Sequence, residues 1–581
     1  MNENSTHKGF RSRRQILRAG GVATAAAVTG CIGGDGGNGG PGDGSGGPQV
    51  TEFNPTDCEP RTVSEDIESD TTWSPEECPR VALEGNIRVT NGATLTIEPG
   101  VEVVGKSGSR ITVKSNSTLK ATGEPTNPVW FYGETDATGF WEGIRLRSQT
   151  ENELDNVVVR NGGQNGWANI YLDDNSQASV TNTLSEMCST SGMIATSGTT
   201  LSEFANNYFR DNEFAATEIS TTHVGMVDSG SVYAGNNEND VVHVSSQDVE
   251  SDTTWPALDV PYRFTGSNHR LNAAVTVDPG ASFVFMSGGR ITVKSGGSFV
   301  AEGTSDARIS FEGETATTGF WEGIRLRSNN PNNSFDYVDL AHGGLNDWSN
   351  IYLDDNSQAS VTNTRSSQCS TSGLIATSGT TISEFASNTF EQNEFAAIEI
   401  PTALVGAIDA DSTYAGENNH DAVYVSSQDV ENDATWPAAP YLFEGSNHRV
   451  IAAVTVDPGA GFTFESGGRI TVKSDGSLAA EGESDSNISF SGATDSQGSW
   501  EGIRLRSNNP NNSFEYVEVA NGGQNGWANI YLDDNSQASV TNSTLRASAT
   551  YGITVTSGAS LDSSNNTFEN NAEGDIDNRN N

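Results

Sequence analysis

One unit is written three times in this chain. The segment Asp66 to Trp73 (DIESDTTW) recurs with one change as Asp248 to Trp255 (DVESDTTW) and, changed a little further, as Asp429 to Trp436, 182 and 181 residues further on. The octapeptide Trp-Glu-Gly-Ile-Arg-Leu-Arg-Ser begins at Trp141, Trp321 and Trp500, and a fourteen-residue run begins unchanged at Asn169, Asn350 and Asn529. The copies are therefore 66–247, 248–428 and a shortened 429–581. Self-similarity of this kind means that each copy folds alike, so the chain is either a stack of like units or a string of separate ones. The Asp-rich Trp-Pro joints (Trp255-Pro256, Trp436-Pro437) leave both arrangements open.

A shorter period lies within each copy. Apolar runs with two-residue alternation, such as Ile111-Thr-Val113, Ile144-Arg-Leu146 and Ile170-Tyr-Leu172, are separated by Gly, Asn, Asp or Pro turns. Alternation predicts half-buried strands, and no helical periodicity of useful length appears. In the third copy Ile503, Ile530 and Ile553 open matching strands 27 and 23 residues apart, the length of one three-strand coil of a parallel β-solenoid. A single coil cannot bury its inner face, but stacked coils can. Asn-rich segments such as Phe204-Ala-Asn-Asn-Tyr-Phe209 supply corners, because Asn tolerates the left-handed conformation and its amide can bond one coil away. A β-sandwich array is the alternative, but its hairpins need more Asn-Gly turns than are present. The predicted class is all-β, a parallel β-helix built from three tandem repeats of about 180 residues. The segments T-I-E-P-G-V (96–101), L-K-A-T-G (119–123) and W-E-G-I (141–144) resemble the right-handed parallel β-helix proteins of the pectate-lyase-like superfamily, over most of 80–575. At roughly 24 residues per coil, continuous stacking predicts some 20 coils, about 100 Å long.

Composition narrows function. Among 581 residues, 31 Lys and Arg face 76 Asp and Glu, a net charge of -45. That excess argues against nucleic-acid partners, which require clustered cations. After position 30 there is no apolar run long enough for a membrane-spanning helix. Only 6 of the 31 cations are Lys. Acidic excess with few Lys resembles secreted proteins of extreme halophiles, whose carboxylates keep the surface hydrated in concentrated salt; an ordinary acidic extracellular protein is the alternative.

Residues 1–30 read as an address. Arg13 and Arg14 precede a weakly apolar stretch, resembling a twin-arginine export signal, and Val28-Thr29-Gly30-Cys31 resembles a lipobox. This predicts export, lipidation of Cys31 and anchoring at the outer face of the cytoplasmic membrane. Residues 31–50, almost all Gly, Asp, Ser and Pro, predict a flexible tether reaching about 20–25 Å r.m.s.. Residues 51–80 predict an N-terminal cap in which Cys58 and Cys78 form a disulfide, with a zinc site as the weaker option. Cys188 and Cys369, matched by Ser548 in the third copy, read as buried small hydrophobes.

Chemistry is harder to place. If Ile144 stacks on Ile170, Arg145 faces Tyr171 and Arg147 faces Asp173, with Arg325, Arg327, Tyr352 and Arg504, Arg506, Tyr531 repeating the set. The plain reading is a ladder of ion pairs and Arg-aromatic stacks; the sharper one is a surface contacting a cell-surface glycan or protein. Asp173, Asp174, Asp354, Asp355, Asp533 and Asp534 carry oxygens suited to Ca2+, though each turn alone has too few ligands. A lyase or hydrolase of the superfamily would combine acidic clusters with a basic proton abstractor. Lys114, Lys294 and Lys473 lie far in sequence from the Asp turns, and closely placed catalytic carboxylates are not apparent. The six His after residue 30 lack zinc-site spacing. Glycosylation sequons occur at Asn116, Asn332, Asn487, Asn511, Asn542 and Asn565. No reaction is legible; a non-catalytic surface scaffold is the first expectation and a polysaccharide lyase or glycoside hydrolase the second.

Overall fold

The computed structural model describes residues 54–533 and 535–580. Arg13, Arg14, Cys31, the whole of the predicted tether (31–50) and Asp534 lie outside the described residues.

Every strand ladder is parallel, and the strands wind in turn through three columns. Ile144 pairs with Ile111 on one side and Ile170 on the other, and Leu146 with Val113 and Leu172, so apolar side chains of one coil lie directly on those of the next. Ile503, Ile530 and Ile553 form the expected column. The alternation is plain in Gly143–Leu146, where Ile144 and Leu146 are fully buried and Arg145 between them is part-exposed. Strands are short because each coil must turn a corner after two to seven residues, and the core forms only through stacking. Antiparallel pairing occurs as isolated bridges inside tight turns, such as Glu124 to Asn127, which removes the sandwich alternative.

Asparagine builds the corners. Asn182, Asn206 and Asn565 have positive φ, and the Asn206 amide donates to Asn182 Oδ1 at 3.4 Å, one coil away. Buried Asn212 does more. Its Oδ1 accepts from the Cys188 amide at 3.1 Å, and its Nδ2 donates to Asn237 Oδ1 at 2.8 Å. One side chain thus satisfies groups in the coils on either side, where an unpaired buried amide costs about 1–3 kcal/mol. Cys188 and Cys369 are free and fully buried, and desolvation raises their thiol pKa.

At the N-terminal end Cys58 and Cys78 are disulfide-bonded, their Cα atoms 6.0 Å apart. Beside them the buried carboxylate of Glu102 accepts from the Thr56 amide (3.1 Å) and from the Tyr132 hydroxyl (2.9 Å), and Arg80 stands 3.9 Å away.

The Trp-Pro joints do not interrupt the stack. A 13-stranded sheet runs from Asn86–Val89 through Asn239–Ser245 and Tyr262–Thr265 to Thr389–Glu391, crossing from the first copy into the second. A second 13-stranded sheet crosses from His269–Leu271 to Thr567–Glu569, joining the second copy to the third. Crossing the joint shifts the register of faces. Arg80–Leu83 belongs to a 7-stranded sheet, but its counterpart Tyr262–Thr265 lies in the first long sheet and the next counterpart, Pro440–Phe443, in the second. Each copy is therefore turned by one face relative to the one before. The reason is arithmetic: Arg80–Leu83, Glu102–Gly105, Val129–Gly133, Val157–Arg160, Leu184–Glu186, Tyr208–Arg210 and the Val232 bridge make seven levels of one column, and the next copy opens one column further round, so a copy spans seven coils and a third.

The joints are also where polar groups enter the core. The 3-10 turns Thr221–Met226 and Thr402–Ala407 bring Thr221 and Thr402 against His269 and His448, each hydroxyl 2.6 Å from the ring Nδ1. Both histidines are 0% exposed, with Phe264 and Phe443 rings 4.5 and 4.7 Å from them. Desolvation lowers each pKa to about 4, so both rings are neutral at pH 7.

Candidate binding face

The Arg-Leu-Arg strands place their charges by alternation. Arg145 pairs in register with Tyr171, Arg325 with Tyr352 and Arg504 with Tyr531. The guanidinium of Arg145 then reaches Asp173 (Nε to Oδ2 3.1 Å), Arg325 reaches Asp354 (2.9 Å) and Arg504 reaches Asp533 (3.0 Å). Arg147 bonds Asp174 and stands 3.5 Å from Asp173, while Arg327 bonds Asp355. Stacking of Ile144 on Ile170 sets Arg147 over Asp173 and Arg327 over Asp354, and the long side chains reach one residue further along the turn. In the third copy Arg506 lies 3.8 Å from Asp533.

The principal aromatic partner is one that sequence reasoning missed. Trp167, in the corner before the Tyr171 strand, lies beneath Arg145 with the guanidinium 4.3 Å from its ring centre and Arg110 5.3 Å away. Trp348 and Trp527 take the same position under Arg325 (4.4 Å) and Arg504 (4.5 Å). Tyr171 meets Trp167 edge-on at 4.9 Å. The corner that delivers Trp167 turns through Gly163 (φ +96) and Asn165 (φ +60). Its signal was the Gly-x-x-x-Trp run recurring just ahead of the fourteen-residue repeat. Arg110, Arg290 and Arg469 complete the face by pairing with Glu142, Glu322 and Glu501, which also accept from Asn165, Asn346 and Asn525 at 2.8–2.9 Å. Gly143, opposite Arg110, has φ +101, and a Cβ there would stand 2.1 Å from the Ala168 carbonyl.

Further along the first two copies, Glu218 and Glu399 accept from Ser191 (2.8 Å) and Ser372 (2.7 Å), and burial raises both carboxyl pKa values. The third copy has Asp577 at this level, paired with Arg579 at 2.7 Å. The copies therefore diverge at one edge of the face while its Arg-Trp-Asp centre is common to all three.

The calcium candidates among the described residues have cationic neighbours. Asp173, Asp174, Asp354, Asp355 and Asp533 are each engaged by guanidinium groups, and no cluster of three or more metal-ligating side chains occurs among the described residues. Of the sequons, Asn116, Asn332, Asn487, Asn511 and Asn565 are exposed. Asn542 is half-buried, its Nδ2 donating to Glu515 at 3.0 Å. Among the described residues no helix is long and apolar enough to cross a membrane.

Three parallel columns closed by stacked coils define a β-solenoid, and residues 442–581 match the family model of the right handed beta helix region. The fold is that of a right-handed parallel β-helix, consistent with the pectate-lyase-like superfamily. No curated protein and no solved structure matches the chain.

Proposed function

We propose that the protein is a non-catalytic surface scaffold: exported by the twin-arginine route through Arg13 and Arg14, anchored through lipidated Cys31, and held off the membrane by the Gly/Asp tether. In this reading it serves as a spacer, envelope component or adhesin-like binder in concentrated salt. The observation that carries it is the treatment of charge on the repeated face. Each guanidinium of the Arg-Leu-Arg strands is committed to a carboxylate of its own neighbourhood, and the set recurs in every copy. An enzyme concentrates its chemistry in one place; here the same in-house pairs are laid down three times on a stack that continues through both joints. The part-exposed Arg145, Tyr171 and their copies are the glycan- or protein-contacting groups of this scaffold.

The test has two arms. The purified chain, incubated with acidic and neutral polysaccharides in multimolar salt with and without Ca2+, is expected to release no oligosaccharide; release that depends on the protein overturns the reading. In cells, Cys31→Ser is expected to shift the protein from the membrane fraction to the medium, and an unchanged fractionation refutes the anchor.

A further inference from the structure

Three of the six lysines occupy one place in the repeat: Lys114, Lys294 and Lys473 each end an Ile-Thr-Val-Lys run. They lie far in sequence from the second arginine of the Arg-Leu-Arg strand but next to it in space. The amides of Arg147, Arg327 and Arg506 donate to the carbonyls of Val113 (2.9 Å), Val293 (2.9 Å) and Val472 (2.8 Å), setting lysine and arginine side by side at the same strand end. Their charges are handled differently. The arginines meet aspartates, whereas none of these lysines forms an ion pair among the described residues; Lys106, by contrast, is paired with Glu84. Desolvation and the surrounding arginines lower the pKa of all three. Among the described residues, the carboxylate acting on Lys473 is that of Asp429, which is bonded to Arg449 at 2.6 Å.

In the third copy this pair opens on a cleft of about 430 Å³ lined by Lys473, Ser474, Arg506, Asn508 and Asn535. A lysine with no ion pair among the described residues, held among other cations and flanked by hydroxyl and amide groups, is an arrangement that an oxyanion would complete. The rim groups suit a chain rich in hydroxyls. No aromatic ring is among these lining residues, so the cleft offers no platform for a base.

We propose that each Lys-Arg pair is a site for a carboxylate or sulfate group of an acidic glycan, and that the three sites hold separate glycan strands. The second part follows from the turn between copies. The strands bearing Arg147, Arg327 and Arg506 belong to three different sheets, so the sites face different directions and no single straight polymer can meet all of them. The scaffold would then be a cross-linker of an anionic glycan layer. This goes beyond the proposed scaffold role and depends neither on lipidation nor on export.

The experiment is a calorimetric titration of the whole chain, in salt that keeps it folded, with a sulfated oligosaccharide too short to span two sites, and with inorganic sulfate as a separate arm. Three equivalents of oligosaccharide are expected, two for Lys473→Gln, and none for the triple Lys114→Gln/Lys294→Gln/Lys473→Gln variant. Far-UV circular dichroism identical to wild type certifies that the variants fold. Unchanged stoichiometry in the lysine variants, or no binding by the folded wild type, overturns the site. Inorganic sulfate binding as tightly as the oligosaccharide overturns its glycan character. With a long sulfated polysaccharide the wild type is expected to form a sedimenting network, and a variant retaining only Lys473 is expected to bind without one. A network formed by that variant overturns the three-strand arrangement.

Discussion

The buried histidines at the joints make the stack sensitive to mild acid. His269 and His448 have folded pKa values near 4, against an ordinary value of 6.5. Because the folded values are the lower ones, protonation favours the unfolded chain. The stability conferred by keeping the rings neutral is fully present above pH 6.5 and is lost as pH falls from 6.5 toward 4. At pH 5 the loss is about 2 kcal/mol for each ring, hence about 4 kcal/mol for both. Glu218 and Glu399 act with the opposite sign, since their raised pKa values favour the folded state on acidification. Relief of the repulsion implied by a net charge of -45 also favours the folded state as pH falls. The wild-type pH profile is therefore a sum, and the informative quantity is a difference. His269→Gln/His448→Gln retains a polar group toward Thr221 and Thr402 while removing the titration. Denaturant unfolding of both proteins at pH 7.5 and pH 5.0, at constant salt, measures it. The wild type is expected to lose about 4 kcal/mol more than the double variant between the two pH values, whatever the variant's stability at pH 7.5. Equal losses would refute the reasoning.

Three further outcomes follow from the packing. Replacing Cys58 and Cys78 with Ser should lower stability by about 3 kcal/mol, and hydrogen exchange should show the loss confined to the first coils. Gly143→Ala adds a Cβ 2.1 Å from the Ala168 carbonyl at a φ that L side chains rarely adopt, and should cost about 3 kcal/mol or more in thermal unfolding, whereas Gly166→Ala, with nothing near its Cβ, should cost only its positive-φ strain of about 1 kcal/mol. Asn212→Ala leaves the Cys188 amide without its side-chain acceptor and should cost about 1–3 kcal/mol, read as faster exchange of that amide.

The stacking was legible because apolar alternation and the repeated unit point to the same coil. Ile144 falls on Ile170 and Ile503 on Ile530 since any one-residue slip would turn Arg145 or Arg504 into the core. What escaped depends on corners and on counting. Trp167 sits in a loop where alternation assigns no direction, so its place beneath Arg145 follows from left-handed Gly163 and Asn165 rather than from any period. Lys114 and Arg147 are far apart in the chain only because a long corner intervenes. Such corners vary: Arg290 to Gly323 takes 33 residues and Asp429 to Arg449 takes 20, though each spans a single coil. With coil length this uneven, the number of coils in a copy cannot be counted from the sequence, and the turn between copies was hidden with it.

That leftover third of a coil makes duplication length a steering variable. With the third unit extended to full length, a fourth of the same size would bring its Arg-Trp-Asp centre back above the first, whereas trimming one strand and its corner from every unit would align all the centres along one flank. The azimuth of each patch is thus written in the size of the duplicated segment and in none of the patch's own residues.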